Sequence, residues 1–359
     1  MQINFIKVAQ LLGLIAAVTS DQATAAKSPP SNILGRTSPQ EAPSYPWWDD
    51  RAAISPQVQI PDDVVYSAAL ASRYLPYEQQ DDRCPNFTVE YPMGSRQTFR
   101  VSIVPLRWAH DKPKTISQAA EQACYDAIPQ YLAINEYNVE RYVHVGKITG
   151  ELELSVGGGL WFVTSPKTRL SSVGSIGQQA ARRNIIMGLA NGLNNLHKRG
   201  IILAGLNPDY VWLDRNGAAS VGDWGRLNLE QRGIVQLSGG GAESAVSRCE
   251  ELRYQAPEVI KKDDITQEPI TAAADVYSFG CIMYYIFTGR HLWTGFQSEY
   301  RLAQAKVNGQ IPPIKIEDGN YTTYITNLLT RCLTTRPENR PTMEQVVTYL
   351  ARIWYSCAP

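Results

Sequence analysis

One strongly apolar segment constrains the fold of this chain more than any other. Apolar side chains occupy nearly every face of a helix drawn over residues 273–289, AADVYSFGCIMYYIFTG. The only charged residue in the segment is Asp275, near its start. A helix that is apolar all round has to be surrounded by other protein elements, because no face of it suits water. We therefore expect a buried central helix inside a large helical region.

Three further segments have the periodicity of helices that could pack around it. A long helix is predicted from residue 178 to residue 200, because Lys198 and Arg199 fall in its last turn and a glycine follows them. Two amphipathic helices are predicted in YITNLLTRCL (324–333) and TMEQVVTYLARIW (342–354). The C-terminal half of the chain is therefore expected to be mostly helical.

Strand patterns dominate the part of the chain before these helices. Strands are predicted in NFTVEY (86–91), QTFRVSIVPL (97–106), ELELSV (151–156) and LWFVTS (160–165). Between the second and third of them, residues 115–134 have the spacing of a helix. We interpret Gly157–Gly159 as the hairpin turn between the last two strands. The expected fold class is α+β, with a small strand-rich N-terminal lobe and a larger helical C-terminal lobe.

The first residues have the order of a secretory signal peptide. An early lysine, Lys7, precedes an apolar run over residues 8–18, and Ala23–Ala25 are a plausible cleavage site. A buried helix or a membrane anchor is the alternative, but the apolar run is too short to cross a bilayer. We therefore expect a secreted protein without a membrane span. The predicted organisation is a signal peptide (1–26), a Pro- and Ser-rich leader (27–60), an N-terminal lobe (61–168) and a C-terminal lobe (169–359).

Charge and cysteine content exclude some functions and leave one question open. The 34 Lys and Arg residues balance 34 Asp and Glu residues, so the net charge gives no support for a nucleic-acid partner. There is no C-x-x-C pair and there are only four histidines, which makes a zinc site a poor fit. The six cysteines are an even number, so up to three disulfides and free buried thiols both remain possible interpretations.

Four motifs in the C-terminal half occur in the order and at the distances of the protein kinase fold. They are LHKRGIILAGLNPDYVWLDRNGAASVGDWG (196–225), YQAPEVI (254–260), DVYSFG (275–280) and RPENRPT (336–342). The first has the spacing of the kinase catalytic loop through the D-F-G motif, which stands here as Asp223-Trp224-Gly225. The chain therefore resembles protein kinases over roughly residues 64–355. The resemblance implies a bilobal kinase-like fold.

The resemblance also implies structural roles for three residues. In kinases, the glutamate of the A-P-E motif pairs with an arginine close to the end of the domain, and Glu258 and Arg340 occupy these positions. The aspartate that begins the central helix accepts hydrogen bonds from the backbone of the catalytic loop, and Asp275 stands there. These residues are expected to maintain the fold whether or not the loop is active.

The catalytic loop departs from the kinase pattern at each position that carries chemistry. Gly205 replaces the aspartate that accepts the substrate proton, and Ala204 replaces the arginine before it. Asn207 replaces the lysine that contacts the transferring phosphate, and Tyr210 replaces the asparagine that holds a second Mg²⁺. The resemblance therefore predicts a loop with kinase shape and without kinase chemistry.

The N-terminal half lacks the kinase groups that hold ATP. No glycine occurs between Arg36 and Met93, so a glycine-rich loop before the predicted strand at 86–91 is absent. The strand that carries the phosphate-binding lysine in kinases has Val104 in the best register and Ser102 in the alternative one. Neither side chain is a cation.

Neighbouring charges leave two further interpretations for this half. Arg100 or Arg107 could substitute for the missing lysine. Glu121, on the predicted helix, is the candidate for the glutamate that pairs with that lysine in kinases. Without the lysine, Glu121 is expected to be a solvated or locally paired charge.

A pseudokinase is the function that these losses favour. We expect a catalytically inactive, protein-binding scaffold or allosteric partner, with ATP and Mg²⁺ binding absent or weak. An unconventional kinase or nucleotide-binding protein that uses Asp223 as its metal ligand is the alternative. Asp223 is otherwise expected to order the segment that follows it, and a structural role in a secreted matrix is a third interpretation.

The signal peptide, the degenerate site and the missing glycine loop together narrow the resemblance. The chain is similar to the secreted pseudokinases of apicomplexan parasites, which include the rhoptry kinase-like group, relatives with no glycine loop and bradyzoite pseudokinases. This implies secretion into the parasitophorous vacuole or the cyst wall. It also implies protein partners, with an active kinase or proteins of the vacuole or cyst wall as candidates.

Overall fold

A computed structural model describes the chain from Val89 onward, with gaps. The residues described are 89–90, 98–108, 118–149, 156–165, 167–231, 251–261, 269–296 and 298–355. The predicted signal peptide and the Pro- and Ser-rich leader lie outside them. The chain forms two compact units, with the boundary at Pro166. Ile134–Arg141 is the exception, because it precedes the boundary but belongs to the second unit.

The first unit is built on a four-stranded antiparallel sheet. Its strands are β1 (Val89–Glu90), β2 (Thr98–Trp108), β3 (His144–Thr149) and β4 (Val156–Thr164), in the order β1-β2-β4-β3. Two short helices, α1 (Gln118–Asp126) and α2 (Ile128–Ala133), precede β3. Phe162 of β4 is buried against Tyr131 and Tyr142, with ring centroids 5.6 and 4.8 Å apart. These aromatic contacts fasten α2 and the start of β3 to the sheet.

The glycine run Gly157–Gly159 is not a hairpin turn, as the sequence suggested, but part of β4. Gly158 and Gly159 pair with Arg107 and Pro105 of β2 on one side and with β3 on the other. The pairing with β2 shifts register between Pro105 and Arg107, because proline cannot donate a hydrogen bond and glycine tolerates the irregular backbone. The partner on the other side of these glycines is β3, and the strand expected at 151–156 lies outside the described residues except for Val156.

The second unit surrounds one central helix, α6, as the apolar pattern predicted. Its helices are α3 (Gln179–Lys198), α4 (Trp224–Gln231), α5 (Pro257–Ile260), α6 (Ala273–Thr288), α7 (Glu299–Val307), α8 (Thr322–Cys332) and α9 (Met343–Tyr355). Every side chain of α6 from Ala274 to Met283 is buried, and the helix contacts both α3 and α8. Within the residues that the structure covers, no helix is both long and apolar enough to cross a membrane.

The short segment Ile134–Arg141 packs closely against α3, because one residue of that helix is a glycine. A Cβ added to Gly192 of α3 would lie 2.2 Å from the carbonyl oxygen of Asn138, so only glycine allows this approach. The same oxygen accepts a hydrogen bond from Val221 N at 2.8 Å, and Glu140 N donates to Val221 O at 2.8 Å. The second unit also contains a three-stranded sheet, in the order β5 (Thr168–Arg169), β6 (Val211–Leu213) and β7 (Ala219–Val221). Strand β7 gains a further neighbour through the two hydrogen bonds at Val221, and Glu140 is placed beside Asp223, two residues after the strand.

Two of the six cysteines answer the question that the sequence left open. Cys281 and Cys332 are free thiols with no exposed surface. Burial raises the pKa of Cys281 to about 11 and that of Cys332 to about 12, so both stay protonated near neutral pH. Because three disulfides would need all six cysteines, full pairing is wrong. Cys84, Cys249 and Cys357 lie outside the described residues.

Candidate functional site

The degenerate catalytic loop lies between α3 and strand β6 (Val211–Leu213), and one buried carboxylate holds its start. Leu203 N and Ala204 N donate to Asp275 at 3.1 and 2.7 Å. His197 Nε2 lies 2.9 Å from the same carboxylate. Ala204 has a φ of +58°, a left-handed conformation that costs a residue with a Cβ about 1–2 kcal/mol. The loop therefore keeps a strained backbone, and Asp275 is the group that stabilises it.

Asn207, at the position of the kinase lysine, has a local structural task. Its side-chain oxygen accepts a hydrogen bond from Asp209 N at 2.8 Å and caps the 3₁₀ turn Pro208–Tyr210. Asparagine is favoured for such a cap because its short amide reaches the backbone two residues on. The amide is buried in this position and carries no positive charge. Asn207 therefore fixes the shape of the loop and brings no positive charge to a phosphate.

The space beside Gly205 is bordered by a helix that begins directly after Asp223. A Cβ at Gly205 would lie 3.5 Å from Cδ2 of Leu227, which is buried in α4. Asn228 of the same helix donates to Ile202 O at 3.0 Å and ties the helix to the loop. A methyl group would fit at position 205, whereas the larger carboxylate of an aspartate would have to share its space with Leu227.

Helix α4 is an integral part of the core of the second unit. Its inward side chains Trp224, Leu227 and Leu229 are all buried. Full burial of each large apolar side chain is worth about 1.5–3 kcal/mol. Moving α4 away from Gly205 would expose these side chains, so the helix is a stable cover for this side of the loop.

A tryptophan covers the backbone just before Asp223. A Cβ added to Gly222 would lie 1.5 Å from Cδ1 and 1.6 Å from Nε1 of Trp212, so the indole occupies that space. Trp212 pairs with Ser220 across β6 and β7, which places Gly222 at the diagonal position on the same face. The guanidinium of Arg169 lies 5.2 Å from the centre of the indole. Trp212 itself is buried.

Asp223 is buried and is held by a residue that sequence reasoning missed. Its φ is +47°, in the left-handed region. Its backbone N donates to Glu140 Oε2 at 2.8 Å, and Trp224 Nε1 donates to Glu140 O at 2.7 Å. Glu140 therefore binds two successive residues of the D-W-G motif. The sequence signal was weak, because Glu140 is one of two glutamates among mixed polar and apolar residues in the segment that leads to β3.

The expected pair of Glu258 and Arg340 is present and is part of a larger network. Arg340 Nη1 and Nη2 donate to the two carboxylate oxygens at 2.6 and 2.8 Å. The other three donors of the guanidinium reach the carbonyls of Thr334, Thr335 and Ala273 at 2.7–3.0 Å. All five donors are thus satisfied. The pair joins α5 to the start of α6 and to the turn before α9.

In the first unit, the residues at the positions of the kinase lysine and of its partner glutamate are apolar or paired locally. Val104 of β2 is fully buried in the sheet. Glu121 of α1 is buried, not solvated, and accepts a hydrogen bond from the hydroxyl of Tyr125 at 2.7 Å. Arg100 and Arg107 lie on β2, but their side chains are outside what the structure describes.

Relatives with curated names are protein kinases that match part of the chain. The mitogen-activated protein kinase kinase kinase mkh1 of Cytospora mali is 29% identical over 161 residues, 44% of this chain and 8% of that protein. Serine/threonine-protein kinase SSK22 of Saccharomyces cerevisiae is 26% identical over 226 residues, 60% of this chain and 16% of that protein. Receptor-interacting serine/threonine-protein kinase 1 of Homo sapiens is 27% identical over 171 residues, 45% of this chain and 25% of that protein. The chain thus spans a quarter or less of the length of these relatives.

A family match covers most of the loop, helices and ion pair described above. Residues 153–350, more than half of the 359 residues, match the protein kinase domain. The match agrees with the strand-containing first unit and the helical second unit, and it confirms the α+β fold class. The chain belongs to the protein kinase domain family.

Proposed function

We propose that the chain is a catalytically inactive kinase-family protein that acts by binding another protein. The observation that carries the proposal is the contact of Trp212 with Gly222. In kinases, the aspartate of the D-F-G motif holds the metal that bridges the nucleotide phosphates. The strand that leads to this aspartate therefore has to leave space for the nucleotide. Here a buried indole lies on that strand, one residue before Asp223.

The side chains that carry out phosphoryl transfer in kinases are also replaced in this chain. Position 205 has no base, and losing a general base costs about 10²–10⁴ in rate. Asn207 uses its amide as a cap, and losing a preorganised charge costs on the order of 10²–10³ in rate. Such losses are not additive when they affect one step. Either loss alone would leave a very slow enzyme.

The lack of one kinase metal ligand in the second unit supports the same proposal. Mg²⁺ needs near-octahedral oxygen ligands, usually with carboxylates and phosphates among them. Tyr210 offers no amide oxygen in place of the kinase asparagine. Glu140, the carboxylate nearest to the Asp223 backbone, already accepts its N–H.

Thermal unfolding with and without ATP and Mg²⁺ tests the proposal. We expect ATP with Mg²⁺ to leave the melting temperature of the wild type unchanged. The melting temperature of Asp223→Ala should likewise not respond to ATP with Mg²⁺. A Mg²⁺-dependent rise in the wild type that Asp223→Ala removes would overturn the proposal.

The alternative is an unconventional kinase or nucleotide-binding protein with Asp223 as its metal ligand. The observation that favours it is that Asp223 remains, is buried and has a left-handed backbone. Transfer of radiolabelled phosphate from ATP would support it if Asp223→Ala abolished the transfer. Asp209→Ala is the matched control, because it removes a carboxylate from the loop without changing the D-W-G motif. If the wild type transfers no phosphate, the result favours the catalytically inactive protein over this alternative.

We also propose that the protein acts outside the cytosol, in a parasitophorous vacuole or cyst wall if the apicomplexan resemblance holds. The support is the signal-peptide pattern of residues 1–26, which lies outside the described residues. Sequencing the N-terminus of the mature protein from its native cell tests this. A mature chain that begins near residue 27 is expected, and one that begins at Met1 would contradict secretion. Crosslinking and mass spectrometry in the same cells would identify the partner protein.

A further inference from the structure

The turn Gly319–Tyr321, directly before α8, is fixed to the protein on its inner side. Asp318 precedes the turn, and its side chain has no exposed surface. Gln179 Nε2 on α3 donates to Asp318 Oδ1 at 2.7 Å and to the carbonyl oxygen of the same residue at 3.2 Å. Arg183 Nη2 lies 3.5 Å from Asp318 Oδ2, and its guanidinium lies 4.5 Å from the ring centre of Tyr321. These contacts fasten the turn to α3.

Asn320, in the middle of this turn, is exposed and takes no part in these contacts. Within the part of the chain that the structure describes, its side-chain amide makes no hydrogen bond. Other asparagine amides are used by the fold, since those of Asn138, Asn207 and Asn228 bind backbone groups at 2.8–3.0 Å. The packing of the second unit therefore does not account for an asparagine at position 320.

The two common reasons for an asparagine in a turn do not account for Asn320 either. Asparagine tolerates a left-handed backbone, and its side chain caps neighbouring backbone groups. The left-handed residue of this turn is Gly319, with a φ of +57°. The hydroxyl of Thr322 is the capping group, because it accepts from Asp318 N and donates to Gly319 O, both at 2.9 Å. Both structural tasks are thus carried out by other residues.

Residues 320–322, NYT, have the pattern of an N-glycosylation acceptor. Such triplets also arise by chance, so the pattern needs support from its position in the fold. An exposed turn gives that support, because a bulky hydrophilic group there extends into solvent without displacing packed side chains. The neighbours Glu317, Gly319 and Thr323 are exposed as well. The other acceptor triplet, NFT at residues 86–88, lies outside the described residues.

We propose that Asn320 is a site of N-linked glycosylation. The donor is a lipid-linked oligosaccharide diphosphate of the secretory pathway. The side-chain nitrogen of Asn320 forms a bond to C1 of the first sugar, while the bond from C1 to the diphosphate oxygen breaks. The amide gives up one proton, and the lipid diphosphate leaves with the bonding electrons. The inference rests on the proposed secretion of the chain, because only a translocated chain meets this donor and its transferase.

Thr322 has two separate tasks, and they determine which substitutions are informative. Its hydroxyl belongs to the acceptor pattern and also caps the turn. Thr322→Ala therefore removes the acceptor and weakens the turn together, whereas Thr322→Ser keeps a hydroxyl for both. Asn320→Gln removes the acceptor alone, because no described residue depends on the Asn320 amide.

Peptide mapping of the secreted protein tests the modification directly. The full chain is produced in eukaryotic cells and collected from the medium, and trypsin cuts after Lys315 and Arg331 to release residues 316–331. Peptide N-glycosidase in H₂¹⁸O converts a glycosylated asparagine into an aspartate that carries ¹⁸O. We expect the label at Asn320. We expect none at Asn327, an exposed asparagine of the same peptide that is followed by two leucines. A parallel digest without the glycosidase measures spontaneous deamidation.

Electrophoresis of single variants gives an independent measurement. Asn320→Gln should migrate faster than the wild type, because it lacks one glycan, whereas Thr322→Ser should keep the glycan and migrate with the wild type. Asn327→Gln is the matched control and should not change the migration. Asn86→Gln separates the contribution of the other triplet. Equal migration of Asn320→Gln and the wild type, or an unlabelled Asn320 in the secreted protein, would overturn the proposal.

The N-terminus of the protein in the same culture separates this inference from the proposed secretion. A secreted chain that begins near residue 27 and has an unmodified Asn320 would overturn the glycosylation site and leave secretion supported. A chain that stays in the cells with Met1 in place would contradict secretion, and the glycosylation site with it.

Discussion

Arg340 and Glu258 meet through two parallel hydrogen bonds although 82 residues separate them in the sequence. The arginine side chain has no exposed surface, and the glutamate side chain is 23% exposed. Arginine is suited to this position because its planar group binds a carboxylate at two points and still reaches three carbonyls. The pair therefore fixes the position of α5 relative to α6 without any contribution from the degenerate loop.

Removing this arginine is expected to destabilise the protein strongly. Arg340→Met should lower the free energy of unfolding by about 3–5 kcal/mol, because it leaves Glu258 and three carbonyls without their donor. Urea unfolding measures this. Arg336→Met is the matched control on the exposed surface, where a change within about 0.5 kcal/mol is expected. Equal losses in the two variants would contradict the importance assigned to the network.

Adding one methyl group at Gly222 should disturb the indole of Trp212. Gly222→Ala places a Cβ 1.5 Å from the ring, so the ring has to move, and overpacking of this kind costs about 1–3 kcal/mol. Gly174→Ala is the control, because no atom lies within 4 Å of its added Cβ. The two variants are compared by thermal and urea unfolding. In the background of Trp212→Leu, the cost of Gly222→Ala should fall, and an unchanged cost would show that the ring is not its cause.

Restoring two kinase residues in the loop should not restore catalysis. Gly205→Asp combined with Tyr210→Asn returns the base and one metal ligand, but Leu227 and Trp212 still occupy the adjacent space. We expect no phosphoryl transfer from radiolabelled ATP above that of the same variant with Asp223→Ala. Circular dichroism verifies that the variants are folded. Transfer that depends on Asp223 would show that the two substitutions alone account for the inactivity.

The left-handed backbone at Ala204 predicts a gain in stability from glycine. Ala204→Gly removes a conformational cost of about 1–2 kcal/mol and adds a cost for the flexibility of glycine of about 0.5–1 kcal/mol. A net gain of about 0.5–1 kcal/mol in the free energy of unfolding is expected. Gly200→Ala is the reverse control, because Gly200 has a φ of +72° and open space around it. It should lose about as much as Ala204→Gly gains, and a loss in both variants would contradict the assigned strain.

The lowered pKa of Lys306 predicts that global stability rises with pH. The unfolded chain binds the proton up to about 10.5 and the folded chain only up to about 7, so the free energy of unfolding increases between these values. Between about pH 7 and 9 the increase is on the order of 2–3 kcal/mol. Urea unfolding as a function of pH should show this rise in the wild type and not in Lys306→Met. A rise of equal size in the variant would assign the effect to other groups.

The buried thiols limit the pH window of that measurement. Cys281 and Cys332 have raised pKa values in the folded state, so their contribution to stability is complete below about 9 and decreases as pH rises toward 11 and 12. This change opposes that of Lys306.

The sequence predicted those parts of the fold that depend on local patterns. The all-round apolar helix α6 and the amphipathic helices α8 and α9 follow from the spacing of their side chains, and all three are present. Asp275 and the pair of Glu258 and Arg340 were placed by motifs and occupy the expected contacts. The hairpin turn at Gly157–Gly159 was wrong, because a run of glycines has no side-chain period that distinguishes a turn from an irregular strand.

The candidate site was less accessible to sequence reasoning, because its contacts join distant residues. Nothing local to Trp212 indicates that Gly222 lies under its ring, and Glu140 meets Asp223 across 83 residues. Lys306 has the sequence context of an ordinary helix-surface lysine, and only the packing of α7 against Leu252–Gln255 buries it. The sequence showed, position by position, which catalytic residues the loop has lost. It did not show which side chains fill the resulting space.

The contact between Trp212 and Gly222 has an evolutionary consequence. A larger residue at position 222 fits only after the tryptophan has become smaller. Shrinking the tryptophan first leaves a buried cavity, and such a truncation costs about 3–5 kcal/mol. A chain with the usual narrow margin of stability, about 5–15 kcal/mol, tolerates that intermediate poorly. Trp212 and Gly222 therefore hold each other in place during evolution. A lineage that has acquired both residues regains a larger residue at position 222 only by changing both nearly at once.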